Sequence, residues 1–258
     1  MQIPLLDFFK VNYIYHTTSC ETHSLKDISF SLHKNEFISF VGPSGCGKTT
    51  LLNLVAGILR ASSGSIQIKG RPIEESDLHI GYMLQKDHLL EWRTIYKNLT
   101  LGLEIQHKLD KFHLDIIDEL LKSYGLWEFK DAYPRQLSGG MRQRAALIRT
   151  LVLSPEILLL DEPFSALDYQ TRLNVSDDIG CIIKEKGIST LLVTHDLAEA
   201  ISMADRVIVL SKRPGTIIEE IPIHLSIENR TPKSARNAPE FNSYYNRIWE
   251  VINHENEA

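Results

Sequence analysis

Short apolar runs alternate with stretches of helical spacing along this chain. Phe37–Val41 is a β-rich run that ends in a glycine-rich loop. From Lys48 to Arg60, apolar residues fall at Leu51, Leu52, Val55, Ile58 and Leu59, the spacing of a helix face. Ser65–Ile68 alternates like a strand behind Gly64, and His79–Met83 predicts another. Between about Leu89 and Ser154 the rhythm changes. Ile116, Ile117, Leu120, Leu121 and Tyr124 form one helical stripe, and Met141, Ala145, Ile148 and Val152 a second. Ser154-Pro155 closes the second helix, because a residue before proline avoids helical angles. Ile157–Leu160, Thr190–Thr194 and Arg206–Leu210 are then unbroken apolar runs, as strands covered on both faces require. The pattern predicts an α/β fold with a parallel-sheet core, a helical insertion over 88–152, and a C-terminal helix around Tyr244–Val251.

Composition narrows the function. The chain has 258 residues, 43% of them hydrophobic and 24% charged, ordinary values for a globular protein. Its formal charge of −5 argues against a partner held by a broad basic surface, so no nucleic acid is expected. Cys20, Cys46 and Cys181 are too few and too scattered for a disulfide framework or a zinc site. No apolar run has the length of a membrane span. The opening MQIPLLDFFK has no basic segment before its apolar stretch, so no secretory leader is expected and the chain should stay in the cytoplasm.

Chemistry concentrates at the ends of the predicted strands. Gly42-Pro43-Ser44-Gly45-Cys46-Gly47-Lys48-Thr49 matches the phosphate-loop pattern G-x-x-x-x-G-K-[ST] between a strand and a helix. Glycines let backbone N–H groups point inward around phosphate oxygens, and the helix N-terminus that follows also faces the anion. The expected contacts run from Gly42 to Thr50, with Lys48 reaching the terminal phosphates and the Thr49 hydroxyl holding Mg²⁺. Cys46 reads as a small packing residue within that loop. Ile157–Leu160 runs into Asp161-Glu162, where Asp161 is expected on Mg²⁺ and Glu162 as the general base that polarises water. His195 ends the run 191–194 on the same rim and is expected near the γ-phosphate. Ser138-Gly139-Gly140 opens the helix that runs to Val152, a second anion site or simply a helix cap. One chain hardly needs two such sites for one γ-phosphate, so the second reads as serving a nucleotide held by another copy.

These motifs together resemble the ATP-binding subunit of an ABC transporter. The phosphate loop, Leu137–Met141 followed by Arg142-Gln143-Arg144, and Leu160-Asp-Glu-Pro163 carry the likeness, which covers nearly the whole chain. The resemblance implies a RecA-like P-loop core with an antiparallel β subdomain (1–87 and 153–215), an inserted α-helical subdomain (88–152) and a C-terminal extension (216–258). It implies roles residue by residue. Gln85 corresponds to the Q-loop, acting in catalysis and on the metal, and Asp168 corresponds to the D-loop at the nucleotide. His195 corresponds to the switch histidine, and Tyr15 stacks on adenine, with Tyr13 the weaker alternative. The implied cofactors are ATP and Mg²⁺. The implied partners are a second copy paired head-to-tail through the ATP sites, integral-membrane permease subunits and an extracytoplasmic solute-binding protein. The implied place is the cytoplasmic face of a bacterial membrane.

Three segments resemble the nitrate/sulfonate/taurine importers within that family: 88–93, 98–104 and 212–215 with 217–220. Glu91 stands where that subgroup usually has proline, Ile148 where alanine is usual, and Asn35 where glycine is usual, a position asparagine tolerates because it visits left-handed angles. The function expected is hydrolysis of ATP to power import of a small solute. The alternatives are a soluble relative acting on nucleic acid or ribosomes, and an exporter subunit.

Overall fold

The unbroken apolar runs lie side by side in the computed structural model, which describes residues 3–18, 20–76, 79–228 and 230–257; Met1 and Gln2 of the N-terminal segment read above lie outside it. Strands β3 (Phe37–Val41), β6 (Ile80–Met83), β7 (Ile157–Asp161), β8 (Ser189–Val193) and β9 (Arg206–Leu210) form a parallel sheet in the order β9-β3-β8-β7-β6. Strand β10 (Ile217–Pro222) joins the β9 edge antiparallel. Alternate side chains feed opposite faces. Leu158, Leu160, Leu192, Val207 and Val209 enter one core, while Ile157, Leu159, Leu191, Ile208 and Leu210 enter the other. That two-sided burial is why these strands read as continuous rather than alternating.

The second core lies between the parallel sheet and an antiparallel one. Strands β1 (Leu6–His16), β2 (Glu21–Leu32), β4 (Ser63–Ile68) and β5 (Arg71–Pro72) pair in the order β2-β1-β4-β5. Their inward residues Leu6, Phe8, Val11, Leu25, Ile28 and Ile66 meet Leu51, Leu52 and Val55 of helix α1 (Lys48–Val55). The first core is closed by α5 (Tyr169–Lys186), α6 (Leu197–Met203) and α8 (Phe241–Glu257), with the short α7 (Pro232–Ala235) against α5 and α6.

A third core draws on residues from Leu89 to Val152. It is built by α2 (Ile95–Ile105), α3 (Lys111–Ser123) and α4 (Gly139–Leu151). Thr94, Asp110 and Ser138 cap these helices by accepting a hydrogen bond from a backbone N–H three residues on. Ile117, Leu120 and Leu121 of the predicted stripe are buried, as are Ala145, Ile148 and Val152.

Several boundaries differ from the sequence expectation. Helix α1 stops at Val55, because Gly57 turns left-handed at φ 69°, and Ile58 is left exposed. Helix α4 ends at Leu151, and Ser154 before Pro155 sits at φ 50°. Asn35 takes the left-handed angle expected of it, at φ 62°. The core sheet also continues past residue 215: β10 pairs with β9, and Ile221, Ile223, Phe241 and Ile248 are buried in the first core. Apolar residues beyond residue 215 thus help to close the main sheet.

Candidate functional site

Loop 42–47 leaves β3 and enters α1 without a side-chain cap. Gly47 holds φ 106° at the cap position, and a Cβ there would stand 2.6 Å from Leu25 Cδ2 and 2.9 Å from the Ser24 carbonyl. No other residue type fits that angle and that gap. Gly45, at φ 76°, has nothing within 4 Å of a would-be Cβ and faces open space. Lys48 is only 7% exposed, and its Nζ donates to the carbonyls of Gly42 (2.8 Å) and Pro43 (2.9 Å). The ammonium is thus held inside the curve of the loop. Cys46 packs in the second core, and burial pushes its thiol up despite the nearby Lys48. A cleft of about 290 Å³ lies over the loop, lined by Tyr15, Ser44, Gly45, Gly47, Lys48, Thr49, Thr50 and Glu162. Tyr15 lines this cleft and its hydroxyl is 3.1 Å from Thr50 Oγ1, whereas Tyr13 packs against the second core, edge-on to Tyr15.

The carboxylates approach from β7. The Thr49 hydroxyl donates to Asp161 Oδ1 at 3.3 Å. Burial raises the Asp161 carboxyl above its ordinary value, opposed by the Thr49 hydrogen bond. Two hard oxygen donors at this spacing beside a phosphate loop suit Mg²⁺. Among the described residues no group of three or more His, Cys, Asp or Glu could hold a metal.

Glu162 sits at φ 46°, an angle that costs a non-glycine residue about 1–3 kcal/mol. Its backbone is clamped there: its N–H donates to the Val193 carbonyl, and its own carbonyl accepts from the N–H and hydroxyl of Ser165. The turn aims its side chain at two partners. Gln85 Nε2, just past β6, donates to Glu162 Oε2 at 3.2 Å, and His195 Nδ1, just past β8, lies 3.3 Å from the same oxygen. Gln85, Glu162 and His195, which are 110 positions apart from first to last (195 − 85), therefore converge on one carboxylate oxygen at the carboxyl ends of adjacent strands. That is where open α/β sheets bind ligands.

Ser138, Gly139 and Gly140 do not line this cleft. Ser138 Oγ caps α4 by accepting from Met141 N at 3.3 Å. A Cβ on Gly140 would lie 2.9 Å from Thr171 Cγ2 and 3.0 Å from Val175 Cγ2, so its lack of a side chain lets α4 press against α5. Asp168 caps α5, accepting from Thr171 N at 3.0 Å, and the Thr171 hydrogen bonds hold its carboxyl below the usual range. Helix α4 is also tied to the segment after Gln85. Arg142 Nε donates to Asp87 Oδ2 (3.1 Å), and Arg149 donates to the carbonyls of Asp87 and His88 (2.7 Å each).

Sequence reasoning missed three cleft residues. Thr22 and Ser24 come from β2, and Ser24 Oγ donates to Thr50 Oγ1 at 3.1 Å. No pattern announced that strand beside the loop. Arg213 also lines the cleft, brought there because Gly215 exchanges backbone hydrogen bonds with Ser24 and Lys26 of β2. Segment 212–215 carries the importer resemblance, but nothing in its sequence tells of this contact.

The ABC transporter family profile matches residues 25–165, more than half of the chain. An uncharacterized ABC transporter ATP-binding protein of Bacillus subtilis is 43% identical over 96% of this chain and 96% of its own. A nitrate import ATP-binding protein of a Synechocystis strain is 40% identical over 89% of this chain and 88% of its own. Among solved structures, the dimeric post-hydrolysis state of an ATP-binding cassette, bound to ADP and phosphate, matches with a TM-score of 0.73 and 27% identity, covering 85% of this chain and 99% of that one. The chain belongs to the ABC transporter family and is one of its ATP-hydrolysing, ATP-binding subunits.

Proposed function

We propose that this ATPase powers import of a small solute of the nitrate, sulfonate or taurine kind through a separate membrane permease. The observation that carries the catalytic reading is the convergence of Gln85 and His195 on Glu162 Oε2, beside Thr49 and Asp161. In this reading residues 42–50 hold the phosphates and Tyr15 takes the adenine. Thr49, Asp161 and Gln85 hold Mg²⁺, which when bound neutralises charge on the phosphate oxygens. Glu162 accepts a proton from the attacking water. His195 steadies Glu162 and meets the γ-phosphate.

Ser138, Gly139 and Gly140 lie away from the cleft of their own chain, so they serve the nucleotide of a second copy, with Asp168 at the same seam. Closure of two copies on ATP and their opening after hydrolysis would move the permease. The hydrogen bonds from Arg142 and Arg149 to Asp87 and His88 give a path from Gln85 to the helical subdomain, taken as residues 88–152. The nitrate import relative and the segments 88–93, 98–104 and 212–220 support import and this solute class. An extracytoplasmic solute-binding protein is the expected third component, with this subunit on the cytoplasmic face. Among the described residues no helix is long and apolar enough to cross a membrane, and in this reading the permease supplies the span.

Glu162→Gln tests the site. Hydrolysis should fall by roughly 10²–10⁴-fold, as loss of a general base predicts. The variant should still bind ATP-Mg²⁺ and accumulate as a dimer by analytical ultracentrifugation. Undiminished turnover would count against Glu162 as base. Co-purification with a permease, and hydrolysis stimulated by nitrate or a sulfonate in the reconstituted complex, test the transport reading. Co-sedimentation with ribosomes or DNA would favour the soluble alternative, and solute-dependent extrusion the exporter.

A further inference from the structure

Helix α8 carries a wider apolar arc than its own chain covers. At about 100° per residue, Phe241, Tyr244, Ile248, Val251 and Ile252 occupy one arc and pack into the first core. Tyr245 and Trp249 extend that arc on one side only, and they stay exposed, Trp249 at 53%. The opposite face is polar, with Asn246, Arg247 and Glu250. An amphipathic helix serving its own core alone needs no aromatic flank there.

The flank has a defined neighbour. Tyr245 and Trp249 form one wall of a cavity of about 450 Å³ whose other wall is Gly42, Arg172, His195 and Asp196. These are the first glycine of the phosphate loop, the switch loop and the start of α5. Arg172 is fixed in that wall, donating to Asp196 Oδ2 and to the Leu167 carbonyl at 3.1 Å each. One turn before Arg172 on α5 stands Tyr169, 68% exposed. Exposed aromatics thus border the rim that carries His195 and leads into Asp168.

We infer that Tyr245 and Trp249 dock on a second copy of this chain, so that the C-terminal helix is part of the ATP-dependent dimer interface. This rests on the two-copy reading of the nucleotide site given above. Continuity selects the occupant. A partner that covers the phosphate loop and the segment at Asp168 reaches the ground next to His195, and the cavity carries that surface onto α8 without a break. The related solved cassette is itself a dimer. In a two-fold pair each copy presents the same patch, so the aromatic flank is used twice. Buried aromatic anchors of this type dominate interface energetics.

The test uses Glu162→Gln with Trp92→Phe and Trp127→Phe, which leaves Trp249 as the one tryptophan of three. Acrylamide quenching of its fluorescence is compared between the monomer and the ATP-Mg²⁺ dimer. The quenching constant should fall by about twofold or more, as for a side chain moved from surface to interface core. In the Glu162→Gln background, Trp249→Glu should weaken dimerisation by at least about tenfold, as for loss of an aromatic anchor. Its circular dichroism and the monomer's nucleotide affinity should be unchanged. An unaltered quenching constant in the dimer, or an undiminished dimer from folded Trp249→Glu, overturns the inference alone. Failure of Glu162→Gln to dimerise at all overturns the two-copy reading and this inference with it.

Discussion

Two glycine-rich turns open two helices in this protein, and they solve the same problem differently. At α1 the cap is Gly47, left-handed and without a side-chain bond to the first turn. At α4 the cap is Ser138, extended, with its hydroxyl on Met141 N. The first turn leaves its N–H groups for a ligand, and the cleft above it is bounded by residues of the same chain. The second satisfies one of its own donors, and its glycines are spent on closeness to α5 and Leu167. Glycine count alone therefore does not tell the phosphate loop of the chain's own cleft from the other turn. What sets that loop apart is positive φ at Gly45, beside open space, and at Gly47, packed against Leu25 and the Ser24 carbonyl.

That contrast can be broken at its sharpest point first. Gly47→Ala places a Cβ against Leu25 and the Ser24 carbonyl at an angle alanine resists, so it should cost about 3 kcal/mol in urea unfolding and abolish nucleotide binding in calorimetry. Normal affinity for ATP in that variant would show that the loop's path is not needed. Ser138→Arg should behave oppositely. Removal of the cap costs about 1 kcal/mol, monomeric nucleotide affinity should persist, and hydrolysis should be lost because a second copy can no longer close. Retained hydrolysis would leave Ser138 as a cap and nothing more. The smallest effect is expected from Gly140→Ala. Its new methyl meets the branch methyls of Thr171 and Val175 at 2.9 and 3.0 Å, so the two helices must part slightly and the net cost should be about 1 kcal/mol, read as a lowered melting temperature. A stabilised Gly140→Ala would mean that the closeness of α4 and α5 is slack.

The loop, Asp161-Glu162 and His195 were legible because each follows an apolar run, and a buried strand must end where its polar successors emerge. Helix α5 was not foreseen, although Val175, Ile179, Ile182 and Ile183 have helical spacing and are buried. Polar residues crowd the same segment and dilute the stripe. Strands β1 and β2 came only through family resemblance, since bulges break their pairing register and blur the alternation a half-buried strand should show. Gln85 was singled out by resemblance, and no local pattern could have shown that it meets Glu162.

By itself the sequence determined the parallel-sheet rhythm, the helical stretch between Leu89 and Val152, and a glycine path that only a phosphate-type loop requires, because these depend on periodicity and backbone angles written within a few residues. Tertiary structure alone decided which distant residues share the site. Ser24 bonded to Thr50, Arg213 lining the cleft, Gln85 and His195 on one oxygen of Glu162, and Trp249 lining a cavity with His195 depend on which elements become neighbours. Strand order is set by the packing of whole faces against one another, a property that no single segment of the chain contains.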